Sequence, residues 1–260
     1  MTDTPLFVSR FGAGRPLLCL HGIEAHGLRF IGLAQRLPGV TVVAPDLRGH
    51  GRSPKVGPWT MAQQLADLRP LLESLGPRTV LLGHSYGGRI AWELARAAPD
   101  RLAGLILVDP AMVIPGDLAA STRATNAANL SWPDTRTAFS ALIERRAPGA
   151  HWSVALDTAV WLEPDPDGTL RPMVAAEAVD AACDQMLVPL RESAYQGPVL
   201  VLEAAAEHGL YITPAVLAQL REQLGTRLRH SALDVPHTIP ADAPALLAEQ
   251  VRAFLDELDG

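Results

Sequence analysis

The sequence predicts an α/β protein built on a doubly wound, mainly parallel sheet. Three observations lead there. Short apolar runs alternate with longer Ala- and Leu-rich amphipathic stretches along most of the chain. Each short run is apolar on both faces, as a strand must be when helices cover both sides of its sheet. One long stretch, 111–197, lacks such a run yet is rich in Ala and holds Trp132, Trp152 and Trp161. A structureless loop of that length does not fit inside a compact domain, so it reads as a helical insertion.

In chain order, Leu6 to Arg10 reads as an early edge strand. The buried strands follow at Pro16 to Leu20, Thr41 to Ala44, Thr79 to Leu82, Leu102 to Val108, Val199 to Leu202 and about Thr226 to Leu233. Helical periodicity occupies Leu28 to Leu37, Met61 to Leu75, Tyr86 to Ala97, Pro214 to Leu224 and Pro244 to Leu258. Residues 1–110 and 198–260 thus form the core, and 111–197 the insertion. Within the insertion, Pro164-Asp165-Pro166-Asp167-Gly168 is a strong turn signal. Its spaced acids do not make a calcium loop, because the further oxygen ligands and the Glu at the twelfth position are missing.

Composition narrows the function. The 260 residues are 48% apolar and 19% charged, which excludes disorder as the main state. Twenty-eight acidic residues against 22 Lys and Arg give a net charge of -6, with no basic run, so no nucleic-acid partner is expected. No apolar run is long enough to span a membrane, and no signal peptide is expected at the N-terminus. Cys19 and Cys183 lie far apart and read as free thiols of a reducing compartment, hence a cytoplasmic location. No metal-ligand cluster and no dinucleotide fingerprint occur, so no cofactor is expected and the partner is a small-molecule substrate. Nothing in the sequence speaks to oligomeric state.

The chemistry concentrates in Leu81-Leu82-Gly83-His84-Ser85-Tyr86-Gly87-Gly88. A G-x-S-x-G between a strand and a helix is the setting of a nucleophile elbow. The chain reverses sharply there, and Gly83 and Gly87 leave the space that a Cβ would fill. Such a turn lifts the Ser85 hydroxyl to the carboxyl edge of the sheet. It also sets the Tyr86 N–H at a helix N-terminus, where partial positive charge favours an anion.

With these residues in place the chain resembles the α/β-hydrolase fold superfamily, in a serine esterase-like branch with a cap. Leu20-His21-Gly22 resembles the family's oxyanion-hole loop, and Pro45-Asp46-Leu47-Arg48-Gly49-His50-Gly51-Arg52-Ser53 the loop after the next strand. Gly83 to Gly88 resembles the elbow, and the insertion resembles the cap domain. The resemblance implies Ser85 as nucleophile and His237, between the last strand and the last helix, as base. Pro236 stands where the family usually has Gly. It implies the Ile23 and Tyr86 N–H groups as the oxyanion hole. For the acid, matching the family's spacing after Pro198-Val199-Leu200-Val201-Leu202 points to Glu207, with Asp109, after the strand ending at Val108, as the alternative.

Among the other His, the expectation is that His21 braces the oxyanion loop, His50 lies in a turn and His84 packs beside the elbow. Glu24 and His26, close to the oxyanion loop, are candidates for the substrate pocket. Trp132, Trp152 and Trp161 are candidates for its lining or, equally, for packing the cap on the core. The implied activity is hydrolysis of small to medium hydrophobic carboxylic esters through an acyl-enzyme on Ser85. Ser rather than Asp at the elbow argues against the dehalogenase and epoxide-hydrolase branches. Thioesterase, lactonase, carbon–carbon bond hydrolase, perhydrolase and a non-turnover small-molecule sensor remain alternatives.

Overall fold

The computed structural model describes residues 4–127, 130–144, 146, 149–204 and 211–259. Strands β1 (Val8–Gly12), β2 (Arg15–Leu20), β3 (Val40–Pro45), β4 (Thr79–His84) and β5 (Leu102–Val108) form the first half of the sheet. The short β6 (Leu162–Pro164) and β7 (Leu170–Pro172) form a separate antiparallel hairpin. β8 (Val199–Ala204) and β9 (Leu228–Leu233) complete a seven-stranded sheet of order β1-β3-β2-β4-β5-β8-β9. β1 is an antiparallel edge strand on β3, and every other pairing in the sheet is parallel.

The continuous apolar runs have a direct cause, because each central strand feeds two cores. Leu18, Leu20 and Leu81 point to one cluster, and Leu17, Cys19, Val80 and Leu82 to the other. The first face is covered by α2 (Met61–Leu75), α3 (Tyr86–Ala97) and α8 (Pro214–Leu224), the second by α1 (Ile31–Ala34) and α10 (Pro244–Glu257). Side-chain caps start two of these helices: Thr60 accepts from the Gln63 N–H and Thr213 from the Val216 N–H. The predicted helix from Leu28 to Leu37 is shorter than its periodicity suggested. A 3-10 turn over Gly27–Phe30 leads into the single turn of α1, and the Arg36 and Leu37 N–H groups close on carbonyls three residues back.

Segment 111–197 holds α4 (Gly116–Ala127), α5 (Thr135–Ile143), α6 (His151–Val160) and α7 (Ala176–Leu187), and the hairpin adds strands that the sequence did not suggest. The acidic turn builds that hairpin. The Asp165 N–H donates to Thr169 O at 2.7 Å, Gly168 takes φ 85°, and the Asp167 carboxylate accepts from both the N–H and the hydroxyl of Thr169. Trp132, Ala138, Leu142, Ala150 and Val154 form a small core of the segment's own. α4 lies against α7. The segment is stitched to the sheet domain by backbone bonds from Gly51 to Met173 and from Ala175 to Gly49. Among the described residues no helix is long and apolar enough to cross a membrane, and no group of three or more His, Cys, Asp or Glu is placed to hold a metal ion.

One buried carboxylate fixes the loops around the carboxyl edge. Asp46, at the end of β3, accepts from the Gly27 N–H at 2.7 Å and from the Arg52 N–H at 2.9 Å. Removing it orphans two N–H groups, each costing about 1–3 kcal/mol when buried. Asp46→Ala is therefore expected to lower the melting temperature by several degrees, and Asp46→Asn, which keeps one acceptor, by less. Thermal denaturation followed by circular dichroism measures both.

Candidate active site

The turn between β4 and α3 holds Ser85 at φ 55° and ψ −123°, a conformation that a non-glycine residue adopts only under constraint. The constraint is visible. Ser85 donates its N–H to Val108 O at 3.1 Å, and its carbonyl accepts from the N–H groups of Gly88 at 2.8 Å and Ala111 at 3.0 Å. A Cβ on Gly83 would run into the Gly87 carbonyl, and one on Gly87 into the carbonyls of Leu20 and His21. The elbow is thus wedged against the end of β2. The loop after β2 passes so close that a Cβ on Gly22 would stand 2.9 Å from Ser85 Cβ. Ile23 follows directly, beside the serine, and Tyr86 opens α3.

Three side chains line up across the edge. Ser85 Oγ lies 3.0 Å from His237 Nε2, and His237 Nδ1 lies 2.5 Å from Asp109 Oδ2. A neutral imidazole there accepts from the serine hydroxyl and donates to the carboxylate. Asp109 sits just past β5 at φ 38°. Its N–H donates to Leu202 O at 2.6 Å, and its Oδ1 accepts from the Ala204 N–H at 3.1 Å. It is therefore braced by β8 while it faces the histidine. Glu207, the acid that the spacing favoured, lies outside the described residues, as does His208.

Two aromatic rings frame His237. Tyr211 stacks on it with centroids 3.5 Å apart and planes 11° from parallel. His84 donates its Nε2–H to the His237 carbonyl at 2.8 Å. Burial, and then the adjacent His237, hold His84 well below the ordinary histidine range, so it stays a neutral donor. His21 donates from Nδ1 to Gly22 O at 2.7 Å and accepts the Leu47 N–H at Nε2, bracing the loop that carries Ile23. Burial also keeps His21 neutral.

A cavity of about 290 Å³ opens onto Ser85 and His237. Its apolar wall is Ile23, Ala111, Ile114, Leu118, Met186 and Tyr211. Its polar side is Glu24 together with Ser121, Thr122 and Thr125 of α4. A larger cleft of about 660 Å³ shares Glu24 but contains none of the three aligned side chains.

Of the other pocket candidates, His26 is buried and directed at Asp157, 2.9 Å from Nε2 to Oδ1, away from the cavity. Trp132 belongs to the core of the segment 111–197. Trp161 is buried with the Arg29 guanidinium 5.9 Å over its ring. Trp152 is 52% exposed. None of the three tryptophans lines the cavity at Ser85. Sequence reasoning missed Tyr211 and the α4 wall. The spacing of Leu118, Ser121, Thr122 and Thr125, one helix face, was the available signal for the wall. No motif marked Tyr211.

The buried neutral histidines have a measurable consequence. Burial pulls His50 down to about 4, against about 6.5 when unfolded. The unfolded chain then binds a proton that the folded chain refuses, so the associated stability is present above pH 6.5 and is lost as pH falls toward 4. That loss is about 3 kcal/mol for His50. Melting temperature plotted against pH is expected to fall across this window, and less steeply in His50→Gln.

The alpha/beta hydrolase fold family model matches residues 15–160. Lipase LipV of Mycobacterium tuberculosis is 31% identical, over 96% of this chain and 97% of its own. The structure of E-2-(acetamidomethylene)succinate hydrolase superposes with a TM-score of 0.83 at 24% identity, covering 96% of this chain and 95% of that one. A thermophilic esterase from Thermogutta terrifontis superposes with a TM-score of 0.72 at 24% identity, covering 99% and 96%. With seven strands in this order, a serine at the β4–α3 turn and a whole-length relative, the chain belongs to the alpha/beta hydrolase fold family.

Proposed function

We propose that the protein is a serine hydrolase that cleaves small to medium carboxylic esters through an acyl-enzyme on Ser85. The observation that carries this reading is the continuous relay from Ser85 Oγ through His237 to Asp109, at 3.0 and 2.5 Å. His237 takes the serine proton as Oγ attacks the acyl carbon, then gives it to the leaving alcohol. It next activates the water that releases the acid. Asp109 holds the imidazole in the tautomer with the proton on Nδ1 and stabilises the imidazolium, so it takes the acid role in preference to Glu207. The N–H groups of Ile23 and Tyr86 receive the developing oxyanion, the second aided by the α3 dipole.

The resemblance to lipase LipV across nearly the whole length of both chains supports an ester substrate. A cavity near 290 Å³, walled about equally by apolar side chains such as Ile114 and Met186 and by polar ones such as Thr122 and Thr125, supports an acyl group of modest size. Segment 111–197 serves as the cap: α4 supplies one wall of the cavity, and Ala111, Ile114 and Met186 continue it.

Turnover of p-nitrophenyl esters of graded chain length tests the reading. Ser85→Ala is expected to lower kcat by several orders of magnitude and to abolish labelling by a fluorophosphonate. Asp109→Asn is expected to cost about 10⁴-fold in kcat, and Glu207→Gln far less. A larger loss in Glu207→Gln would return the acid role to that residue. Tight binding of a small molecule without turnover in the wild type would favour a sensor.

A further inference from the structure

We propose that Asp242 is a positioning residue for His237, and that the segment 111–197 holds it in place through Ser153 and Arg146. The inference rests on the serine-hydrolase reading above and adds to it a second tier of residues around the base.

Thr238 follows His237 directly and precedes α9 (Ile239–Asp242), the short helix that ends at Asp242. Its hydroxyl donates to Asp242 Oδ2. The other carboxylate oxygen, Oδ1, accepts from Ser153 Oγ at 2.6 Å, and Ser153 belongs to α6 of the inserted segment. Arg146 Nη1 lies 3.6 Å from Asp242 Oδ2. The peptide that follows the catalytic base is therefore tied, through one carboxylate, to a different part of the molecule. His84 ties the same loop a second time, through the His237 carbonyl.

Arg146 carries the connection onward. Its Nη2 donates to Asp157 Oδ2 at 2.8 Å. Asp157 is 2% exposed and also accepts from Arg29 Nε and Nη2 at 3.1 and 2.7 Å and from His26 Nε2 at 2.9 Å. His26 and Arg29 stand three and six residues after Ile23. One arginine from the inserted segment thus joins the loop of the base to the loop of the oxyanion donor.

Charged groups are a costly way to glue two buried surfaces, since well-packed apolar residues often do as well or better for stability. What they add is direction. A carboxylate with a donor on each oxygen permits one placement of Thr238 relative to Ser153. A His237 ring displaced by an ångström loses its line between Ser85 and Asp109, at a cost of roughly 100-fold in rate.

Thr238→Val, which keeps the shape and removes the hydroxyl, and Ser153→Ala test this with little risk to folding. Asp242→Ala is the stronger variant. Three readouts are taken on each: kcat and KM with p-nitrophenyl butyrate, the rate of fluorophosphonate labelling of Ser85, and the downfield proton resonance of the His237–Asp109 hydrogen bond. The expected result is kcat lowered about tenfold to 100-fold with KM little changed, labelling slowed in parallel, and the resonance shifted or broadened. Thr238→Ser is expected to restore all three. Variants that melt lower yet keep wild-type kcat, labelling rate and resonance would overturn the inference, leaving these residues a purely structural role. The resonance is read without turnover. A wild-type chain that neither labels nor hydrolyses would sink the serine-hydrolase reading alone, while the resonance in the variants still decides the positioning role.

Discussion

The backbone hydrogen bonds between Ser85 and the end of β5 are the constraint on which the site rests. The Ser85 N–H reaches Val108 O, and the Ser85 carbonyl receives the Ala111 N–H. These bonds hold a serine at φ 55° against its preference, and they do so by clasping the residues on either side of Asp109-Pro110. One set of contacts therefore places both the hydroxyl and the carboxylate. A parallel sheet makes this possible, because β4 and β5 run side by side and end at the same level, with His84 opposite Val108. The histidine arrives from a third place, the loop after β9, and is met there by a ring on one face and a hydrogen-bond donor on its carbonyl.

Around this centre three buried histidines are held neutral. His21, His50 and His84 are buried, and burial disfavours their charged forms. A charged His84 would stand 4.8 Å, ring to ring, from the His237 imidazole. Neutral imidazoles can brace loops by donating one proton without adding charge. His21 and His50, edge to face, and His84, beside His237, are in this sense scaffolding.

How much of this the sequence revealed follows from physics at two scales. Strands such as Leu102–Val108 were legible because a strand buried on both faces has to be apolar throughout, and few other elements look so. Helices such as Pro214–Leu224 were legible because Thr213 and Pro214 announce the start and Gly225 the end. Ser85 was legible because the elbow requires small residues at fixed offsets. Asp109 was harder to single out. Its approach to His237 depends on a positive φ and on the register of β5 against β8, which are properties of the assembled sheet. Tyr211 touches His237 through a ring stack, a contact that any planar side chain delivered by the fold could make. The tryptophans stayed open between lining and packing for a related reason. Large apolar rings suit a ligand and a packing partner equally well, and the segment 111–197 needed Trp132 for a core of its own.

The inserted segment shows two kinds of adhesion with different purposes. Its internal packing is apolar: Trp132, Ala138, Leu142, Ala150 and Val154 hold α5 and α6 together. Its contact with the loops of the edge runs through Arg146, Ser153, Asp157 and Asp242, which are charged or polar and mostly hidden from solvent. Apolar contact is non-directional, so two greasy faces can slide by a fraction of an ångström at little cost. A carboxylate that receives Arg29, Arg146 and His26 together cannot shift without losing a charged partner in a dry place, a penalty of about 3–5 kcal/mol. Burial pushes Asp157 up, but Arg29 and His26 draw it below the usual carboxylate range, so the acid remains charged at neutral pH. The molecule spends its non-directional packing where only cohesion is required. It places its directional, costly bonds on the loop that follows His237 and on the loop that follows Ile23.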